Sequence, residues 1–262
     1  MSYEIIKYPR TPHLEGSKLQ QGDEDLSQIP FKDIKGKYLV IEEKIDGANT
    51  AISFDQEGNL LLQSRGHYLT GGYRERHYNL FKQWATIHKD EFYKVLGSRH
   101  ILYGEWLYAK HTVYYDKLPH YFFEFDVYDR IEKKFLSTKR RKELLKDLPI
   151  ISVPVLATGH FNKLDDILKY IGHSNYISDN PISNLSEIVN SLNLNLEQIK
   201  SETDLSQTME GLYIKIEDDY EVLQRLKYVR YSFLQTITSS NTHWLDRTII
   251  PNKLDKEIKD IF

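Results

Sequence analysis

Short apolar runs of strand length, rich in Tyr, Phe, Ile and Val, recur along this sequence, and helical patterns fall between them without a fixed repeat. Residues 38–43 (YLVIEE), 50–54, 60–63, 101–108, 121–128, 211–216 and 220–228 read as strands. The second and third form a hairpin around Glu57-Gly58-Asn59. Apolar residues at helical spacing predict a helix over 78–96, with Leu80, Phe81, Trp84, Ile87 and Phe92 on its buried face. Shorter helices are predicted over 139–146, ending before Pro149, and over 164–171 and 188–199. Residues 1–36 are turn-rich and residues 232–262 partly helical. Strands joined by short hairpins with helices interspersed give an α+β fold rather than a regular strand–helix–strand repeat. Nothing in the sequence has the Gly-rich pattern of a phosphate-binding or dinucleotide loop, so any nucleotide chemistry needs another device.

Composition narrows the setting. A chain of 262 residues buries a core without cross-links, and with no cysteine it has neither disulfides nor thiolate metal sites. Net charge is −3, so a nucleic-acid surface has to be a local basic patch. No run approaches the ~20 apolar residues that span a bilayer, and residues 1–10 lack an apolar signal core. The expectation is a cytoplasmic protein with no membrane contact. The histidines at 67, 77, 88, 100, 111 and 120 do not fall at metal-ligand spacing. The 19 Tyr and 11 Phe suit a half-buried β core first and base-stacking surfaces second.

Charged residues set into the apolar runs carry the chemistry. Glu43-Lys44-Ile45-Asp46-Gly47 ends the first strand. A lysine amine attacks phosphorus only when unprotonated, and its reference pKa is ~10.4, so the site has to lower it. The glycine permits a tight turn and a close backbone approach. Taken alone, Lys-x-Asp-Gly is equally a hairpin turn after a surface lysine. Ser64-Arg65-Gly66 presents an arginine after a strand, suited to phosphate. Tyr103-Gly104-Glu105-Trp106 sets a carboxylate in an apolar strand, which is costly unless paired or metal-bound. Phe123-Glu124-Phe125-Asp126 alternates aromatic and acidic residues. Glu210-Gly211-Leu212-Tyr213-Ile214-Lys215 carries charge at both ends, and Arg225-Leu226-Lys227 puts two cations on one strand face.

In this order, from Lys44 to Lys227, these segments resemble the six collinear motifs of the covalent nucleotidyltransferases: ATP-dependent DNA and RNA ligases and capping guanylyltransferases. Glu43 to Asn49, in the form Glu-Lys-x-Asp-Gly-x-Asn, is similar to the nick-sealing and editing type of RNA ligase. The segments 104–111 (GEWLYAKH) and 227–230 (KYVR), together with 8–14 (YPRTPHL), His243-Trp244 and Pro251-Asn252, look like the bacterial and phage RNA ligases. The resemblance implies a nucleotidyltransferase, ATP-grasp-like fold of antiparallel sheets flanked by helices. It also implies a catalytic domain over 1–233 and a short extension over 234–262, too small for the OB-type domain of DNA ligases and capping enzymes.

It implies roles as well. Lys44 would take AMP from ATP. Asp46 would fix the lysine or a metal. Glu43 would sit near adenine, and Phe125 would stack on it, with Phe123 as the alternative. Arg65 would contact phosphate or ribose, and with Asn49 face the RNA end. Glu105 would bind ribose or metal, and Glu210 Mg²⁺ or Mn²⁺. Lys215, Arg225 and Lys227 would clamp phosphates, and these cations would depress the Lys44 pKa. The implied activity is ATP-dependent sealing of RNA 3′-hydroxyl to 5′-phosphate ends by a monomer. The competing readings are a DNA ligase, a capping-type enzyme, an enzyme that adenylates something other than nucleic acid, and a non-catalytic RNA-binding module.

Overall fold

The computed structural model describes residues 4–19, 23, 26–239, 248–255 and 261–262. Its strands are β1 (His13–Leu14), β2 (Gln28–Ile29), β3 (Leu39–Lys44), β4 (Ala48–Phe54), β5 (Leu60–Ser64), β6 (His100–Trp106), β7 (Phe122–Asp129), β8 (Lys134–Phe135), β9 (Ile151–Ser152), β10 (Val155–Gly159), β11 (Gly211–Glu217) and β12 (Val222–Val229). Its α-helices are α1 (Asn79–Ile87), α2 (Lys89–Leu96), α3 (Thr138–Leu145), α4 (Asp165–Leu168), α5 (Pro181–Ser191), α6 (Leu196–Ser201) and α7 (Tyr231–Ser239). One sheet runs β10-β3-β11-β12-β1-β2 and the other β5-β4-β6-β7-β8, with β9 added beside β7. Pairing is antiparallel except at the short strands β1, β2 and β9. The expected α+β class with antiparallel sheets and flanking helices is what the chain forms.

The period of two in each strand assigns the layers. On the first sheet Leu39, Ile41, Leu212, Ile214, Ile216 and Leu226 pack with Phe31, Ile34 and Ile167 in one outer core. On the second, Phe54, Leu102, Trp106 and Phe122 pack against Phe81, Trp84 and Phe92 of α1 and α2. Rings of Phe81, Trp84, Trp106 and Phe122 lie 5.2–6.5 Å apart. Burying one such ring is worth about 2–3 kcal/mol. The inner faces meet over a thin apolar cluster of Tyr8, Ala51, Ile101 and Tyr103, beside which sits a dense group of charges. Glu42, Asp126 and Lys215 of that group are fully buried between the two sheets.

Several elements differ from the sequence pattern. The helix expected over 78–96 breaks at His88, whose φ −91° and ψ 14° end α1 and begin α2. The break turns Ile87 outward, 62% exposed, while Phe81, Trp84 and Phe92 stay buried. The helix expected over 188–199 is two, split where Asn193 takes φ +53° and the Asn195 side chain caps α6 by accepting the Gln198 N–H at 3.1 Å. Of 164–171 only Asp165–Leu168 is α-helical. In the extension, residues 250–255 return to the body. Asn252 is buried, accepts the Tyr115 N–H at 3.0 Å and donates to the Leu107 carbonyl at 2.7 Å. His243 and Trp244 lie outside the described residues. No helix among the described residues is long and apolar enough to cross a membrane.

Candidate active site

Lys44 is the last residue of β3, and residues 45–47 carry the chain from the first sheet into β4 of the second. The Lys-x-Asp-Gly segment is therefore a crossing between sheets, not a hairpin turn. Register fixes which side chains share the cleft with Lys44. Lys44 lies opposite Gly211, Glu42 opposite Tyr213, and Tyr213 opposite Lys227. Directly opposed residues share a face, so Glu42, Lys44, Tyr213, Lys215, Arg225 and Lys227 all project from the same side.

The crossing is held tightly. A Cβ on Gly47 would meet Leu107 Cδ2 at 2.5 Å and the Trp106 carbonyl at 2.9 Å, so only glycine lets the backbone pass this close to β6. Asp46 does not reach Lys44. Its Oδ2 accepts the N–H groups of Thr112 and Val113 at 2.7 and 2.8 Å, and its own N–H donates to the Tyr115 hydroxyl at 2.9 Å. Asp46 thus pins the loop after β6 against the lysine's loop. No residue pattern marks Thr112, Val113 and Tyr115 as its partners, because each contact uses a backbone amide of one side or the other.

The Lys44 ammonium is 2.8 Å from Glu210, which is buried just before β11. Burial alone would lower the Lys44 pKa, but Glu210, Glu105 and Asp46 raise it. This corrects the expectation of a lysine depressed by neighbouring cations: in the free protein its surroundings are anionic. The carboxylates answer in kind. Burial pushes Glu105 up to about 8 against the pull of Lys44, and pushes Glu210 up to about 7. Fully ionised, Lys44, Asp46, Glu105 and Glu210 carry two excess negative charges, which a buried site resists by binding protons.

Those oxygens suit a hard divalent cation. Among the described residues no three His, Cys, Asp or Glu side chains form a complete cage, but Mg²⁺ or Mn²⁺ bound with a phosphate substrate needs only one or two carboxylates. Glu105 accepts the Gly47 N–H and feels the charge of Lys44, and it lies across the strands from Asn49. A stability prediction follows from the raised carboxylates. Their folded pKa values exceed the unfolded ones, so the folded state binds more protons between about pH 4.5 and 8, and stability falls as pH rises through that window. Metal-free protein is expected to lose on the order of 3 kcal/mol from pH 5 to pH 8. Glu105→Gln should flatten that slope, and Mg²⁺ should restore stability at pH 8. Urea melts at several pH values measure it, and a flat wild-type profile would contradict the site's electrostatics.

The other expected residues divide. Lys227 stands near Lys44 and Glu210, and burial followed by Lys44 lowers its pKa despite its ion pair with Asp23. Arg65 is exposed just beyond β5 and makes no ion pair with another described residue. Phe125 is the extra residue of a bulge against β6; its ring is half-buried, 5.0 Å from Tyr8, whereas Phe123 is fully buried against Tyr176.

Three residues are engaged by partners other than the lysine. Glu43 alternates to the opposite face of β3, where Ser174 Oγ donates to it at 2.6 Å and burial pushes it up to about 7. Lys215 is fully buried, 2.9 Å from Glu42 and 3.1 Å from Asp126, and donates to the Phe125 carbonyl. Arg225 is held by Asp126 at 3.0 Å with its guanidinium over the Phe135 ring. In the free protein, then, carboxylates occupy the two cations expected to clamp phosphates. Both charges are consumed inside a network with Glu42, Glu124, Asp126 and Arg141. The sequence set these cations on the right face but did not reveal the carboxylates opposite.

The chain matches the RNA ligase family over residues 37–229, a span that begins just before β3 and ends with β12. This chain belongs to the RNA ligase family. Solved structures agree on the fold. A variant of an RNA ligase from Naegleria gruberi, solved with ATP and Mn, superposes with TM-score 0.55 at 16% identity, covering 90% of this chain and 59% of that one. Another variant from Naegleria gruberi, solved with AMP and Mn, gives 0.52 at 17%, covering 80% and 54%. An archaeal ATP-dependent RNA ligase gives 0.50 at 15%, covering 87% and 49%. The chain thus spans between about half and three-fifths of these RNA ligases' own length. No curated protein matches it.

Proposed function

We propose that this member of the RNA ligase family joins RNA 3′-hydroxyl and 5′-phosphate ends at the expense of ATP, carrying AMP covalently on Lys44. The observation that carries this reading is the placement of the Lys44 amine. It stands where the chain crosses between sheets, 2.8 Å from a buried carboxylate, with Glu105 and Lys227 beside it.

In the first reaction Lys44 Nζ attacks the α-phosphorus of ATP. A nitrogen–phosphorus bond forms, the bond to the bridging oxygen breaks, and pyrophosphate leaves. The lysine must first lose a proton, and Glu210 is the acceptor within hydrogen-bond distance, passing it to solvent. Lys227 supplies positive charge to the phosphates, and the half-exposed Phe125 ring offers a face for adenine. Asp46 acts as a brace. Glu105 and Glu210 would hold Mg²⁺ or Mn²⁺, which neutralises phosphate charge. In the second reaction the 5′-phosphate of a strand attacks the same phosphorus and frees Lys44. In the third a 3′-hydroxyl attacks the strand's phosphate and AMP departs. Arg65 and Asn49 face the strand. Residues 1–233 form the adenylyltransferase unit, against which residues 250–255 of the extension 234–262 pack.

Incubation with α-labelled ATP and Mg²⁺ is expected to leave a denaturation-stable label on the chain. A chase with 5′-phosphorylated nicked RNA should move that label to the strand and then release it as AMP on sealing. Label that moves only to an all-DNA nick would assign a DNA ligase. No label with any divalent cation would sink the catalytic reading and favour an RNA-binding module.

A further inference from the structure

Lys227 is not left open to solvent; an acidic residue from the N-terminal segment sits on it. The Asp23 carboxylate is bound by three cationic or donor groups at once: the Lys227 ammonium, Arg10 at 3.3 Å and His13 Nε2 at 3.1 Å. His13 is built into this arrangement. It is fully buried, and β1 lays it directly beside Lys227 of β12. Its other ring nitrogen is 2.7 Å from Ser17 Oγ, which itself accepts the Val229 N–H at 2.9 Å. An ionised carboxylate only accepts, so Nε2 carries the ring proton and donates to Asp23, and Ser17 gives its proton to Nδ1. Ser17 thus fixes the His13 ring, and Lys227, His13 Nε2 and Arg10 surround one anion. Burial opposes ionisation of Asp23, yet Lys227, His13 and Arg10 together keep its pKa below the ordinary carboxylate value. Both His13 and Lys227 feel the charge of Lys44, so the group adjoins the reacting amine.

A carboxylate gripped by lysine, arginine and a histidine N–H has the partners of a phosphate. We propose that Arg10, His13 and Lys227 form the site for the terminal phosphates of the nucleoside triphosphate, and for pyrophosphate, and that Asp23 is the chain's own anion holding that site in the free protein. The inference rests on the ligase reading for its ligand. ATP has to displace Asp23 on entry. When the bond from the α-phosphorus breaks and pyrophosphate departs, Asp23 returns to the same donors. Its return removes the cations that pyrophosphate would need to attack the lysine adduct, so it disfavours the reverse reaction.

Asp23→Asn keeps the size and removes the competing charge. Titration calorimetry with magnesium pyrophosphate, which needs no chemistry, should show about five- to tenfold tighter binding than wild type. Arg10→Gln should bind it severalfold more weakly. AMP, which lacks terminal phosphates, should bind all three proteins alike. In self-adenylylation Asp23→Asn should need severalfold less ATP, and its adduct should be discharged faster by added pyrophosphate. Unchanged or weaker pyrophosphate binding by Asp23→Asn would overturn the inference and make Asp23 a positioning residue for Lys227. Equal tightening towards AMP would overturn it too, as a change in the whole cleft. Absence of adduct in every protein would count against the ligase reading, while the pyrophosphate titration still decides the role of Asp23.

Discussion

Lys44→Ala is expected to abolish labelling by α-labelled ATP, a loss on the order of 10³-fold or more, because the substitution removes the amine that forms the bond to phosphorus. The same substitution should leave the protein folded. Lys44 is part-exposed at the end of β3, and Glu210 answers the loss of its partner by keeping a proton, as its raised pKa allows. Far-ultraviolet circular dichroism and the melting temperature check the fold, and gel autoradiography checks the label. Lys44→Arg sharpens the test. It restores a cation beside Glu210 but supplies no free amine near neutral pH, so stability should return without the label. A wild-type level of denaturation-stable adduct on either variant would refute Lys44 as the carrier of AMP.

Arg141→Met is expected to cost about 3–5 kcal/mol in unfolding free energy, the usual consequence of leaving buried charges without a partner. Arg141 on α3 is fully buried, with Nη2 2.8 Å from Glu42 and Nε 3.4 Å from Glu124, and Asp126 lies just beyond. The network balances three carboxylates, Glu42, Glu124 and Asp126, against Arg141, Lys215 and Arg225. Methionine fills the volume but removes one charge of six, so the network is left with an excess negative charge in a place that water does not reach. Adding Glu42→Gln to Arg141→Met restores the balance with Lys215 and should recover part of the loss. The coupling between the two sites, read from urea midpoints of the single and double variants, measures the pair. A single-variant loss below about 1 kcal/mol would show that the network relaxes or takes up water.

This network shows where reading the chain residue by residue reaches its limit. Lys215 and Arg225 sit on strands whose spacing and face are evident in the sequence, and their charge invites a phosphate. Asp126 decides otherwise, from another sheet and about ninety residues earlier in the chain, and nothing local announces it. Asp23 decides the surroundings of Lys227 in the same way, from a segment that looked like a turn-rich approach to the fold.

The sequence alone determined the α+β class, most strand positions, the collinear motifs that mark the family, and the lysine on which the proposed chemistry turns. These depend on short-range patterns: alternation along a strand, apolar spacing along a helix, and a glycine next to a nucleophile. Tertiary structure decided which charges face the cleft and which are consumed between the sheets, that Asp46 braces a loop and does not touch Lys44, and that helical spacing over 78–96 and 188–199 is interrupted. It also decided that Lys44 is surrounded by carboxylates. Each of these depends on groups distant in the chain brought within a few ångströms, where burial strengthens every electrostatic interaction, and a sequence pattern carries no record of that distance.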